Sequence, residues 1–259
     1  MSTSTTLRAA PRQRGFTLVE LMVTVAIALF LLGGLVTIVQ NMRGTYLNQQ
    51  NLVQLQDQQR FALTVLTDAI QAAGFVGDPT TQSSGAFPAA AALAPAAPFQ
   101  LGWVFTGSHT TGVADAAAND TVGVRFQSDA NAYGPVLCNG TDISQQAATI
   151  YSIQFGVDTV NHFLTCNVNA ANPPIPVVGG VQALAVYYGV KRNTGVVDYN
   201  VDTYETWDVL QASATDWANV NSVRVVITFF NPLFGQPSQP QFITVERVVE
   251  VMARGGLHT

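Results

Sequence analysis

An α+β fold, one long N-terminal helix packed on an antiparallel β-sheet, is predicted by three features of this 259-residue sequence. Residues 16–39 form an apolar run of 24 with a single charge, Glu20. Apolar residues at spacings of three and four then carry a helical pattern to Ala73, with no proline between Phe16 and Gly74. Past residue 98 the period shifts toward two, and β-branched and aromatic residues gather. No amphipathic stretch of helix length separates these later runs, which favours antiparallel pairing over βαβ units. No internal repeat is visible.

The first half of the helix is long enough to span a membrane, since a bilayer core takes roughly 20 apolar residues of helix. A carboxylate inside such a span costs roughly 2.5–3.5 kcal/mol even on mild insertion scales, so Glu20 calls for a partner or a purpose. Arg8, Arg12 and Arg14 precede the span and only Arg43 follows it closely. That asymmetry orients the N-terminus to the cytoplasm and the C-terminal part to the other side. Gly33-Gly34 is the weak point of the helix, although glycine in membrane helices often serves close helix approach.

The second half of the helix presents Leu52, Leu55, Ala62, Leu66, Ala69 and Ala73 on one face, widened by Phe61, Leu63, Val65 and Ile70. Gly74 is the expected stop, followed by Gly77, Asp78 and Pro79. Residues 76–98 are rich in Ala, Pro, Ser, Thr and Gly and are expected to be an irregular segment lying over the domain. Expected strands cover 99–105, 121–127, 149–157, 163–168, 181–190, 222–230 and 242–252. Tyr151, Ile153 and Phe155 alternate, as do Val223, Val225, Ile227 and Phe229. The domain reading is therefore a leader at 1–15, a long helix at 16–74 that is transmembrane to about 39, and a β-rich globular domain at 75–259.

Three of the eleven basic residues lie before Phe16, so the rest carries eight bases against sixteen acids, a formal charge of −8. This balance argues against a dedicated nucleic-acid surface, which needs a basic patch. Charged residues are only 10% of the chain, in keeping with an exported domain of weakly charged surface. Cys138 and Cys166 both follow the span. In an oxidising compartment a pair without competitors favours a disulfide, with two free thiols as the alternative. Closing that loop would stabilise by roughly 3–4 kcal/mol in the chain-entropy treatment.

The stretch Arg14-Gly15-Phe16-Thr17-Leu18-Val19-Glu20 resembles the prepilin signal of type IV pilins, minor pilins and type II secretion pseudopilins. The resemblance implies cleavage by a prepilin peptidase after Gly15 and N-methylation of the new terminus, Phe16. It also implies that Glu20 matches the acidic fifth mature residue. An ordinary signal peptide would have a shorter apolar region followed by a small-residue site. A plain anchor would explain neither Glu20 nor the glycine before the run. Further along, Asp68-Ala69-Ile70-Gln71-Ala72-Ala73-Gly74-Phe75, Val181-Gln182-Ala183-Leu184, Val186-Tyr187-Tyr188-Gly189-Val190 and Val220-Asn221-Ser222-Val223-Arg224-Val225 resemble the PilW family of minor pilins. The chain departs from that family at Gln71, where arginine is frequent, and at Lys191-Arg192-Asn193, where acids are common.

This resemblance implies a pilin-like fold and a role in initiating a type IV pilus, in a tip-proximal complex with other minor pilins and the major pilin. Such complexes often support a PilY-type tip adhesin. The implied place is the bacterial inner membrane, with the C-terminal domain in the periplasm, and then the pilus on the cell surface. The pilus would serve twitching motility, attachment or DNA uptake. A type II secretion pseudopilin is the alternative machine, and an adhesive or DNA-binding minor pilin the alternative class. In a bundle of membrane helices a buried carboxylate needs a cation, and the amine created at Phe16 is the nearest candidate for Glu20. A carboxylate merely lying near headgroups is the simpler alternative.

No catalytic residues, cofactor or metal site are expected. His109, His162 and His258 have no ligand spacing, and Ser108-His109 lacks a nucleophile elbow. Asp198, Asp202, Glu205 and Asp208 offer oxygens for calcium but not in a recognised loop order, so a solvated acidic loop is favoured. Trp207 and Trp217 flank that region and are read as core.

Overall fold

The computed structural model describes residues 15–252 apart from 78–82, 130–135, 144–146, 194, 196–199, 214–216 and 218. Most of the leader, with Arg8, Arg12 and Arg14, thus lies outside the described residues, as do Asp78, Pro79, Asp198 and His258. The chain divides into two compact units, residues 1–50 and 51–259. Helix α1, Leu18–Ala72, contributes its first turns to one and its last turns to the other.

In the first unit the helix starts where Thr17 caps it. The Glu20 N–H donates to Thr17 Oγ1 at 3.3 Å, and the Leu21 N–H to the Thr17 carbonyl at 3.2 Å. A threonine oxygen there satisfies one of the donors that every helix N-terminus leaves open. Helical hydrogen bonding runs through Gly33-Gly34 without a break, with Thr37 Oγ1 donating to the Gly33 carbonyl at 3.0 Å. The large apolar side chains from Phe16 to Val39 are 41–82% exposed. The helix is apolar and long enough to cross a membrane, with a peak mean hydropathy of 2.6.

In the second unit the last turns of α1 bury Leu55, Ala62, Leu66, Ala69 and Ile70. Phe61 lies on the opposite side, 54% exposed, so it does not widen the apolar face. The helix ends at Ala72. Gly74 takes φ 79, a left-handed conformation that suits glycine at a helix C-terminus. From there the chain runs straight into sheet pairing: the Gly74 N–H donates to the Arg125 carbonyl and the Gln127 N–H to the Phe75 carbonyl, both at 2.9 Å.

The strands form two antiparallel sheets rather than one. The first is a meander of β1 (Phe105–Ser108), β2 (Thr121–Gln127), β3 (Ile150–Asp158), β4 (Phe163–Val168) and β5 (Ile175–Gly179). The second has the order β7 (Thr203–Glu205), β6 (Val181–Val190), β8 (Val220–Phe230), β9 (Phe242–Glu250). Short helices α2 (Ser83–Ala86) and α3 (Trp207–Leu210) and a 3-10 turn at Asp115–Ala117 complete the elements. One core joins α1 residues Leu66 and Ile70 to Val124 and Phe155 of the first sheet and Val186 and Ile227 of the second.

Strands β2, β4 and β6 have the boundaries expected from the sequence. The expected strand over 99–105 is instead a turn, with Gly102 at φ 76, and β1 begins at Phe105. Strands β5 and β7 were not expected. Pro176 interrupts the pattern of the first, and the second is only three residues long.

Candidate functional site

The N-terminal segment places Gly15, Phe16 and Thr17 ahead of the helix in non-helical backbone, with Phe16 79% exposed. Nothing crowds Gly15: a Cβ there would meet no atom within 4 Å. Gly15 and Phe16 thus lie exposed, in non-helical backbone, before a helix whose third residue is Glu20. A carboxylate in the first turn is favoured by the positive end of the helix dipole. Thr17 was missed by sequence reasoning, although Thr17-Leu18-Val19-Glu20 has the threonine-x-x-glutamate spacing of a capping box.

In the second unit Arg125 is fully buried on β2. Its Nε donates to the Trp103 carbonyl and its Nη1 to that of Pro88. Its Nη2 donates to Phe87 at 3.2 Å and Gln100 at 2.6 Å. The rings of Phe87 and Phe99 lie over the guanidinium at 5.2 and 5.0 Å. Burial pushes its pKa down to about 10, which still leaves it charged at neutral pH. The cation is thus solvated by four carbonyl dipoles and two π faces instead of water.

These bonds strap residues 87–103 across the outer face of the first sheet. Gln154 adds a two-point grip on Leu93, accepting from its N–H at 3.0 Å and donating to its carbonyl at 2.6 Å. Thr106 Oγ1 donates to the Ala97 carbonyl. Gly123 lies beneath: a Cβ there would come within 2.6 Å of Thr106 Cγ2 and 3.3 Å of the Phe99 ring. The irregular segment expected over the domain is therefore held by named polar side chains, which no periodicity in the sequence marks.

Asp120 ties the two sheets together. It is fully buried, and its carboxylate accepts from the N–H groups of Thr110 at 2.8 Å and Val186 at 2.9 Å. His109 Nδ1 sits 3.1 Å from both its oxygens. Ser108 Oγ pairs with Thr121 Oγ1 at 2.9 Å rather than with the imidazole. The adjacent serine and histidine therefore do not form a nucleophile–base pair here.

Cys138 and Cys166 are bonded to each other, with Cα atoms 6.3 Å apart. The bridge fastens the 136–142 turn to β4, where Cys166 is fully buried. Of the acidic residues that the sequence groups together, the three described ones have separate partner groups. Asp202 accepts from the N–H groups of Arg192 and Asn193 at 2.7 Å, Glu205 lies 3.2 Å from Arg192 Nη1, and Asp208 accepts from Thr206 Oγ1 at 2.5 Å. Among the described residues no three His, Cys, Asp or Glu side chains form a metal-binding group. Trp207 and Trp217 are 9% and 2% exposed, so both belong to the core. On the outer face of the second sheet Tyr187 donates to Asp115 Oδ1 at 2.5 Å, and its ring lies under the Arg224 guanidinium, which pairs with Glu246 at 2.8 Å.

Residues 10–36 match the prokaryotic N-terminal methylation motif. Residues 150–238, from β3 through β8 to the loop before β9, match the family described as Type IV Pilus-assembly protein W. A type IV-like pilin from Thermus thermophilus aligns with 14% identity over 77% of this chain and 96% of its own, at a TM-score of 0.42. No curated protein matches. The methylation motif, continuous with an exposed apolar helix, fits a membrane-anchored protein of the type IV pilin class. The second match narrows the likeness: together the two matches support a PilW-like minor pilin of the type IV pilus. Pilin families are structural proteins, and membership implies contact with other pilus components.

Proposed function

We propose that this chain is made as a prepilin, cut between Gly15 and Phe16, N-methylated at Phe16, and built into an initiation complex with other minor pilins from which a type IV pilus grows. The observation that carries the reading is the joint match: a methylation motif over residues 10–36 and a PilW match over residues 150–238 of one chain. The domain stands in the periplasm while the helix rests in the inner membrane, and the assembled subunit then travels with the pilus near its tip. Prepilin peptidase is the processing partner. Major pilin, and a PilY-type adhesin at the tip, are the further partners of this reading. Glu20 pairs with the amine of Phe16, on its own chain or a neighbour's, when the helices bundle away from water. In the second unit Arg125 is caged by carbonyls, while Arg192 and Arg224 are paired with acids, so these cations serve the domain itself rather than a nucleic acid.

The test uses a strain making only the Glu20→Ala chain. Removing a charge from an apolar span leaves membrane insertion intact or improved. The expected result is a processed chain starting at methylated Phe16, retained in the membrane, with loss of co-purification with other minor pilins and few surface pili. Normal co-purification with normal pilus number would overturn the role given to Glu20. A mature N-terminus beyond Val39 would overturn the processing itself. Normal pili in a strain lacking the whole chain, with impaired protein secretion, would assign it to a secretion machine instead.

A further inference from the structure

The sequence holds two Asn-x-Thr triplets, Asn119-Asp120-Thr121 and Asn139-Gly140-Thr141, and no Asn-x-Ser. Such a triplet is the acceptor pattern for a sugar on the asparagine amide, usable where the asparagine stands in the open. The fold separates the two. Asn119 is half-buried where β2 starts and is bridged to Leu184 of β6, with Asp120 fully buried and Thr121 5% exposed behind it. Asn139, Gly140 and Thr141 are all exposed, at the tip of a turn closed by the Val136–Asp142 bridge. The Leu137 N–H donates to the Thr141 carbonyl at 2.9 Å and the Gly140 N–H to the Leu137 carbonyl at 2.8 Å. Gly140 takes φ 80, and a Cβ there would meet no atom within 4 Å, so the space around the tip is open. The Asn139 carboxamide is held by one end. Its Oδ1 accepts from the Thr141 N–H at 3.0 Å, while its Nδ2, like Thr141 Oγ1, makes no hydrogen bond among the described residues.

We propose that Asn139 is a glycosylation site, whose Nδ2 takes a sugar from a polyprenyl-diphosphate-linked donor on the exported side of the membrane once the domain has folded. The Nδ2 attacks the anomeric carbon, the bond from that carbon to the diphosphate oxygen breaks, and polyprenyl diphosphate leaves. One Nδ2 proton passes to a base of the transferase or to water, and nothing is oxidised or reduced. The bond from the Thr141 N–H to Oδ1 occupies the oxygen end of the carboxamide and leaves the nitrogen end for the donor, with the Thr141 hydroxyl presented beside it. The Cys138–Cys166 bond fixes the residue next to Asn139 against β4, so a bulky hydrophilic group is carried clear of the core. Transfer before folding would find Asn119 as open as Asn139; transfer to the folded domain is confined to Asn139. The inference rests on the export of the domain proposed above, in whose favour the disulfide argues independently.

The test purifies the full chain from the membranes of the cells that make it, digests it without reductant, and maps the peptides by mass spectrometry with a fragmentation that leaves a sugar on its residue. The expected result is a sugar on Asn139 and a bare Asn119. Asn139→Gln and Thr141→Ala should each lose the sugar completely, Thr141→Ser should keep it, and Asn119→Gln should leave it in place. Thr141→Ala retains the asparagine, so the loss there separates sugar transfer from the spontaneous chemistry of an exposed Asn-Gly pair. The three turn variants should keep the Cys138–Cys166 bond and the thermal midpoint of the unglycosylated domain, since the substituted side chains are exposed. A bare Asn139 in wild type overturns the proposal, as does a sugar retained in Thr141→Ala or one found on Asn119 as well. The same digest reads the first residue of the chain and the Cys138–Cys166 link, so a failure of processing at Phe16 or of export is told apart from a bare Asn139.

Discussion

The two sheets of the second unit treat the same residue type in opposite ways. On the first, Arg125 lies under a strap of backbone, fully buried, its pKa lowered by desolvation. On the second, Arg224 stands at the surface, its pKa raised chiefly by its hydrogen bond to Glu246. The first sheet has polar residues on its outer face because an irregular segment must be covered and its carbonyls satisfied. On the second sheet Arg224 and Glu246 reach water, while Ala118 packs on Ala185 and Val226 beside them. A polar residue on a strand therefore does not by itself mark a solvent face. What decides is whether a neighbouring segment brings unsatisfied backbone groups to meet it.

The largest break in this comparison should come from Arg125→Met. Four carbonyls lose their donors together, at roughly 1–3 kcal/mol for each that stays dry, less what water entry returns. We expect a loss of about 4 kcal/mol in denaturant unfolding of the domain, with early proteolysis within residues 87–103. Unfolding at wild-type denaturant with an intact strap would show that the strap holds without its cation. Next is Cys166→Ser, which frees the 136–142 turn from β4. A loss of about 3 kcal/mol is expected from the loop closed in the unfolded chain, and a much smaller change would place the stability of this sheet in the strap alone.

Tyr187→Phe sharpens the other side. The Tyr187 pKa is pushed up to about 12, first by its bond to Asp115 and then by burial. A group with its folded pKa raised from 10 contributes stability that is full below pH 10 and lost as pH climbs toward 12. Tyr188, buried and also raised, acts in the same sense, while Arg125, lowered from 12.5 to about 10, acts in the opposite one. Wild type should therefore lose stability between pH 10 and 12, and Tyr187→Phe should lose less. Identical pH profiles for the two would remove Tyr187 from the account.

The smallest effect is expected from Arg224→Met, whose exposed pair with Glu246 contributes no more than about 1 kcal/mol. A loss as large as that of Arg125→Met would erase the distinction between the two faces.

Much of the architecture was legible because it rests on local periodicity. The unbroken apolar run with one carboxylate pointed to the helix, Gly74 marked its end, and β3 and β8 declare themselves by alternation. The residues 99–105 misled because an apolar composition hid the turn at Gly102. The division into two sheets, the junction at Asp120 and the cage around Arg125 could not be read in advance. Each depends on which distant carbonyl or amide arrives beside a polar side chain, and the partners lie up to 66 positions apart. Local sequence determined which segments become helix or strand, because steric and hydrophobic patterns act over a few residues. Only the tertiary structure decided which polar groups are buried and satisfied, because hydrogen-bond demand is met across the fold and leaves no period in the chain.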